Sequence, residues 1–234
     1  MTYRVGKLIT VDGIDGVGKN TQSKKLVEFI KGIHGDCGFF SFPRYETPTG
    51  KLVGDYLQSG RDDLNLLERA ALYSNDRAAA RLEIIDLLMR GIDVVCDRYV
   101  DSNLAFFSSF AQMEKNVSRN YDMHVKHFIL ELEYKQLCLP KPDQTFILSM
   151  TPEKARQLVL KKDPRNYTDE KLDLHERNDR LLELTSDFYN KQALTGGNHY
   201  VLIDCVDAEK DAVRTVEDIH KEITDKYTER FKPR

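Results

Sequence analysis

Gly13-Ile-Asp-Gly-Val-Gly18-Lys19 is a G-x-x-x-x-G-K run. It follows the apolar stretch Leu8–Asp12 directly and precedes a segment carrying Leu26, Val27 and Ile30 at helical spacing. Glycines in such a run let successive backbone N–H groups turn toward one point. The N-terminus of the next helix adds donors and Lys19 adds a cation, which together can cradle the phosphates of a nucleoside triphosphate. The cradle comprises Gly13, Asp15, Gly16, Val17, Gly18, Lys19, Asn20 and Thr21. A glycine turn that merely joins strand to helix is the plain alternative, and the strand and helix on either side favour phosphate. Asn20 departs from the pattern, in which a Ser or Thr hydroxyl after the lysine holds Mg²⁺. An Asn20 carbonyl oxygen, a water or Asp15 are the alternatives left for that ion.

Two further clusters end apolar runs. Phe42-Pro43-Arg44-Tyr45 follows the second and Asp97-Arg98-Tyr99 the third. Ligands of parallel α/β sheets collect at the carboxyl ends of the strands. Arg44 and Arg98 could therefore grip a second anion opposite the glycine loop, since guanidinium forks suit phosphate. Salt bridges to surface carboxylates are the ordinary alternative. Asp97, closing DVVCD, has the place of a strand-end acid beside a nucleotide-bound metal, and could instead only fix Arg98. His124 and His127 lie three apart without an acid to complete a metal pattern, so a solvated helix face is the better reading. Cys37, Cys96, Cys138 and Cys205 are far apart with no C-x-x-C pair, which argues against zinc and disulfides and for small apolar fillers in a reducing compartment.

The elements that must hold these residues are legible in the hydropathy. Leu8–Asp12, Gly38–Phe42, Asp93–Asp97, Thr145–Met150 and Tyr200–Asp204 are nearly continuous apolar runs, the pattern of strands covered on both faces. Between them the sequence predicts helices over Lys19–Ile33, Pro48–Gln58, Asn65–Arg90, within Ser102–Glu133, and over Pro152–Lys161, Asp173–Ala193 and Asp207–Tyr227, with Ser102 as an N-cap. This alternation predicts one α/β domain over 1–234: a doubly wound, five-stranded parallel sheet with helices on both faces. The polar stretch Lys161–Asp173 is the candidate lid.

Taken in order, VDGIDGVGKNTQ, FPRYETPTGKLV, ALYSNDR, DRYVDSNLAF, LPKPDQTFIL and DLHERND span positions 11 to 179 and resemble thymidylate kinase, a P-loop nucleoside monophosphate kinase family. The resemblance implies phosphorylation of dTMP to dTDP with ATP and Mg²⁺. It implies that Arg44 and Arg98 hold the dTMP phosphate, and that Asp15 accepts from the sugar 3′-hydroxyl and, with Asp97, approaches the metal. Tyr73 would stack on thymine, Arg77 would reach its O4, and Asn103, supported by Ser102, would bond the pyrimidine edge. Phe106 would crowd the ribose 2′ position, and Tyr45 would border the acceptor. The loop interior holds no arginine, so the lid must supply the cation for the transferred group. Lys161, Lys162 and Arg165 are its candidates, with Arg156 from the preceding helix. Asp173 and Glu176 match acids beside acceptor and lid, and His175 between them packs or faces solvent. Relatives are homodimers, and Phe106, Phe107 and Phe110 could supply an apolar interface or equally a core.

Composition sets the outer bounds. The chain has 234 residues, 41% hydrophobic and 31% charged, which suits a folded globule with an ordinary core. The formal charge of −3 gives no broad footprint for nucleic acid. The longest apolar runs fall far short of the roughly 18 residues of a membrane span. No secretory leader precedes the first strand, so a cytoplasmic protein is expected. Two other readings stand beside dTMP kinase. One is a nucleotide kinase with another or broader deoxynucleotide acceptor. The other is a P-loop ATPase switch, which leaves FPRY and DRY without a task.

Overall fold

A computed structural model describes residues 4–59, 63–115, 117–160 and 178–231. Five parallel strands, β1 (Leu8–Asp12), β2 (Cys37–Ser41), β3 (Asp93–Asp97), β4 (Gln144–Ser149) and β5 (Tyr200–Asp204), lie in the order β2-β3-β1-β4-β5. All residues of β1 and β3 are buried, which is why these strands read as unbroken apolar runs rather than alternating ones. Neighbouring side chains serve opposite cores. Ile9, Val11 and Val95 pack with α1 (Lys19–His34) and α8 (Val216–Arg230) on one face. Leu8, Val94 and Cys96 pack with α3 (Leu66–Met89), α4 (Val100–Met113) and α5 (Tyr121–Leu130) on the other. Among the described residues the remaining α-helices are α2 (Pro48–Ser59), α6 (Pro152–Leu160) and α7 (Asp179–Thr195). Among the described residues no helix is long and apolar enough to cross a membrane.

The register converges three strand ends on one spot. Asp97 pairs with Val11 of β1 and with Ser41 of β2, so the loops leaving β1, β2 and β3 start at the same level. Helix α3 then runs about 36 Å at 1.5 Å per residue. Asn65 and Glu68 start it with a reciprocal capping box, the Asn65 side chain accepting from the N–H groups of Leu67 and Glu68.

Several expectations need correction. The region Ser102–Glu133 divides into α4, α5 and a π-helical turn, Glu131–Gln136, in which the Leu137 N–H bonds the Leu132 carbonyl. Ser102 is no cap: α4 begins at Val100, and the Ser102 hydroxyl donates to Asp12 instead. The helix expected from Asp207 starts only at Val216. Asp207 spends its carboxylate on the N–H groups of Glu209 and Lys210 in a turn between the short antiparallel strands β6 (Val206–Asp207) and β7 (Ala212–Val213). Thr215 then caps α8, accepting from the Asp218 N–H. The first stretch of the helix expected over Asp173–Ala193, and the lid 161–173, lie outside the described residues; within them α7 begins after its cap Asn178.

Candidate active site

The glycine loop crosses from β1 to α1 in a backbone shape that only glycine fits. Gly13 has φ 141°, and a Cβ there would lie 2.5 Å from the Leu148 carbonyl oxygen. Gly16 has φ 93°, with the Ala155 carbonyl oxygen 2.2 Å from an added Cβ. Helix α1 opens at Gly18 without a side-chain cap and without an acid in its first turn, so its leading N–H groups are left for an anion. Asn20 and Thr21 are exposed on that turn.

Lys19 is buried at the base of the loop, its Nζ donating to the Ile14 carbonyl at 2.8 Å and standing 3.5 Å from an Asp15 carboxylate oxygen. Burial and the neighbouring Arg98 charge push its pKa down to about 8, against the pull of Asp15, Asp97 and Asp12. Arg98 binds that same Asp15 oxygen. Burial opposes the Arg98 charge, but Asp15, Tyr189, Asp97 and Asp12 outweigh it and hold the guanidinium above its ordinary value. Asp15 thus ties the loop's cation to the cation leaving β3. Arg98 itself sits in the left-handed region at φ 66°, its N–H bonded to the Val11 carbonyl and its guanidinium 5.5 Å from the Phe106 ring centre.

A cavity of about 880 Å³ opens in front of these groups. Asp15, Asn20, Asp97, Arg98, Ser102 and Phe106 line the end near the loop; Lys19 lies just behind Asp15 rather than in the wall. Arg44 and Tyr45, from the loop after β2, form a side, with Tyr45 packed beside Val53, Tyr56 and Leu57. Arg44 is clamped by Asp76 of α3: its Nε and Nη2 and its backbone N–H all bond that residue's side chain, and Nη2 also reaches the Asp76 carbonyl. Tyr73 and Arg77 border the cavity from the same face of α3, four residues apart. The Tyr73 ring meets Tyr56 and Phe107 edge-on at 6.2 and 5.6 Å, so it is core and cavity wall at once, as is Phe106.

Two acids were invisible as partners in the sequence. Asp76 is one. Glu133, fully buried on the π-helical turn, is the other: it takes Arg77 Nε at 2.7 Å and Nη2 at 2.6 Å, Ser74 Oγ at 3.0 Å and Asn103 Nδ2 at 2.8 Å. Removing one side of such a pair costs about 3–5 kcal/mol. Glu133 carried no local hint, since Glu131 lies two residues before it and Lys135 two after in the same helical stretch. Asn103 is therefore held by Glu133 and Ser74, not by Ser102, which belongs to a separate chain of bonds with Asp12, Arg98 and Tyr189.

Asp97 presents a donor set fit for a hard divalent cation. Its Oδ2 accepts from Asn20 Nδ2 at 3.0 Å and Ser41 Oγ at 3.2 Å, while its buried Oδ1 has no hydrogen-bond partner. No cluster of three His, Cys, Asp or Glu among the described residues could hold a metal alone. One or two carboxylates beside substrate phosphates is how Mg²⁺ is held. His124 and His127 are exposed on α5, and all four cysteines are free. Phe106 and Phe107 are buried within the subunit, so they offer no outer face. Arg156 pairs with Asp179 across α6 and α7, away from the cavity wall. Lys161, Lys162, Arg165, Asp173, His175 and Glu176 lie outside the described residues.

A family model described as thymidylate kinase matches residues 11–223. The thymidylate kinase of Plasmodium falciparum is 30% identical over 223 residues, covering 95% of this chain and 90% of its own. That of Mycobacterium tuberculosis is 30% identical over 204 residues, covering 84% and 90%. Among solved structures, thymidylate kinase from Candida albicans superposes with a TM-score of 0.70 over 97% of this chain and 93% of that one, at 19% identity, a likeness of fold.

Proposed function

Because the chain belongs to the thymidylate kinase family, we infer that it transfers the γ-phosphoryl group of ATP to dTMP, giving dTDP and ADP. The observation that carries this reading is the shared cavity: the Asp15–Arg98 pair at the mouth of the glycine loop borders the same space as Arg44, Tyr73, Arg77 and Asn103. The acceptor oxygen is already anionic and needs no strong base, so the protein's work is alignment and charge neutralisation. In this reading Lys19 and the α1 amides hold the β and γ phosphates, and Arg98 and Arg44 offset the repulsion between the two anionic substrates. Asp15 accepts from the sugar 3′-hydroxyl, Tyr73 lies on the base, Arg77 and Asn103 read its edge, and Phe106 crowds the 2′ position. Mg²⁺, held by the free Asp97 oxygen with Asp15 nearby, would neutralise charge on the phosphates. Lys162 and Arg165 of the lid are assigned the remaining charge on the transferred group, which a loop interior of Asp15-Gly16-Val17 lacks.

Free, reduced cysteines, three of them buried, support a cytoplasmic setting. Leu82 and Met89 on α3 and Met123 on α5 are exposed apolar side chains on the layer next to the acceptor cavity, and support a homodimer. A coupled ADP-release assay with each monophosphate in turn tests the activity: dTMP should be turned over fastest, and ADP release independent of any monophosphate would sink the reading.

The depressed Lys19 adds a pH signature. Triphosphate charge raises the Lys19 pKa, so binding favours the protonated form and affinity should be flat below the free value of about 8 and fall as pH rises past it. Calorimetry in buffers of different ionisation enthalpy should show uptake of about one proton per nucleotide at about pH 9 and close to none at about pH 7.

A further inference from the structure

The bonds around Asn103 and Arg77 leave each residue only one way to face the cavity. The Asn103 amide nitrogen has three acceptors about it: the Ala70 carbonyl at 3.0 Å, Ser74 Oγ at 3.1 Å and Glu133 Oε1 at 2.8 Å. Turning the amide over would set its carbonyl oxygen against a carboxylate and a backbone carbonyl, so the nitrogen must stay inward. Oδ1, an acceptor, is what remains for a ligand. Arg77 has its Nε and Nη2 on Glu133, which leaves Nη1, a donor, as the nitrogen outside that pair. Both residues border the cavity while being 1–2% exposed, so neither can swing to another arrangement.

We propose that Glu133 is the positioning residue for base selection: it fixes Arg77 as the donor and Asn103 as the acceptor that together admit a base with a carbonyl at position 4 and N–H at position 3. The proposal rests on the dTMP kinase reading and deepens it. Thymine and uracil match both groups. Cytosine sets an amino group against the guanidinium and a bare ring nitrogen against the Asn103 oxygen, two unpaired contacts in a buried site. The turn that carries Glu133 is itself anchored from both sides. Its carbonyl accepts from the Leu139 N–H at 2.9 Å, and Arg81 Nη1 holds the Leu137 carbonyl at 2.7 Å. A π-helical turn is an uncommon device and recurs at functional sites; here it brings a charged side chain wholly inside the helical layer.

Glu133→Gln keeps the volume and replaces one oxygen by a donor, which frees Asn103 to turn its own nitrogen outward. Steady-state kinetics with dTMP, dUMP and dCMP should give a dTMP-to-dCMP ratio of kcat/KM reduced by about tenfold or more. The change should come chiefly from a raised KM for dTMP, with dUMP following dTMP. If the variant does not fold, Ser74→Ala, which removes a hydroxyl bonded to both Glu133 and Asn103, should lower the ratio by about threefold. A parallel loss with all three monophosphates, or an unchanged ratio, overturns the proposal and leaves the kinase reading intact. A wild-type protein that phosphorylates none of the three overturns both.

Discussion

Arg98→Ala is expected to lower kcat/KM for dTMP by about 10³-fold, about 4 kcal/mol of transition-state stabilisation. Arg98 stands among Asp12, Asp15 and Asp97, and its guanidinium is the cation that borders the cavity beside them. Without it the acceptor phosphate would approach Asp15 and Asp97 with only Arg44, itself paired with Asp76, and the recessed Lys19 opposing them. The backbone should survive, because the bond from residue 98 N–H to the Val11 carbonyl does not involve the side chain. Arginine and alanine both carry a Cβ, so the substitution leaves the strain of φ 66° unchanged. KM for ATP should change little, since the loop amides and Lys19 remain. Steady-state kinetics with a parallel melting curve check this: turnover within about threefold of wild type would remove Arg98 from the reaction.

Lys19→Ala should reduce kcat by a similar factor, about 10³-fold, with the loss falling on ATP use rather than on dTMP affinity. The stability outcome separates this variant from an ordinary core lesion. The lowered Lys19 pKa means that burial and Arg98 cost the ammonium more than Asp15, Asp97 and Asp12 return. Removing it relieves that cost, so Tm should stay level or rise while activity collapses. A fall in Tm of about 5 °C or more would make Lys19 a structural residue instead. On the proposed reading the free enzyme holds a poorly solvated cation behind the place assigned to the triphosphate, and the ligand's charge would relieve it on arrival.

The two cation sites were legible because their signals are local. A glycine loop between an apolar run and a helical segment carries its own geometry, and arginines that end buried strands fall where parallel sheets place ligands. Helix existence was legible for the same reason, while two boundaries were not. The turn at Asp207 and the Thr215 cap compete for the same polar residues, and only the hairpin formed by β6 and β7 decides between them. Ser102 looked like a cap because Ser is a good one. A buried Asp12 beneath α4 gave its hydroxyl a stronger acceptor. Asp76 and Glu133 could not be found from spacing at all. Their arginines lie 32 and 56 residues away, on elements brought together only by the fold.

The Asp76 clamp on Arg44 makes α3 a calliper. Asp76 fixes the group assigned to the acceptor's phosphate, and Arg77, its immediate neighbour, borders the cavity where the far end of the same nucleotide is assigned. One stiff rod thus sets the span between them, and neither jaw can slide without the other. A monophosphate analogue lengthened by a single methylene between sugar and phosphate, about 1.5 Å of extra reach, would find each jaw correct and the gap wrong.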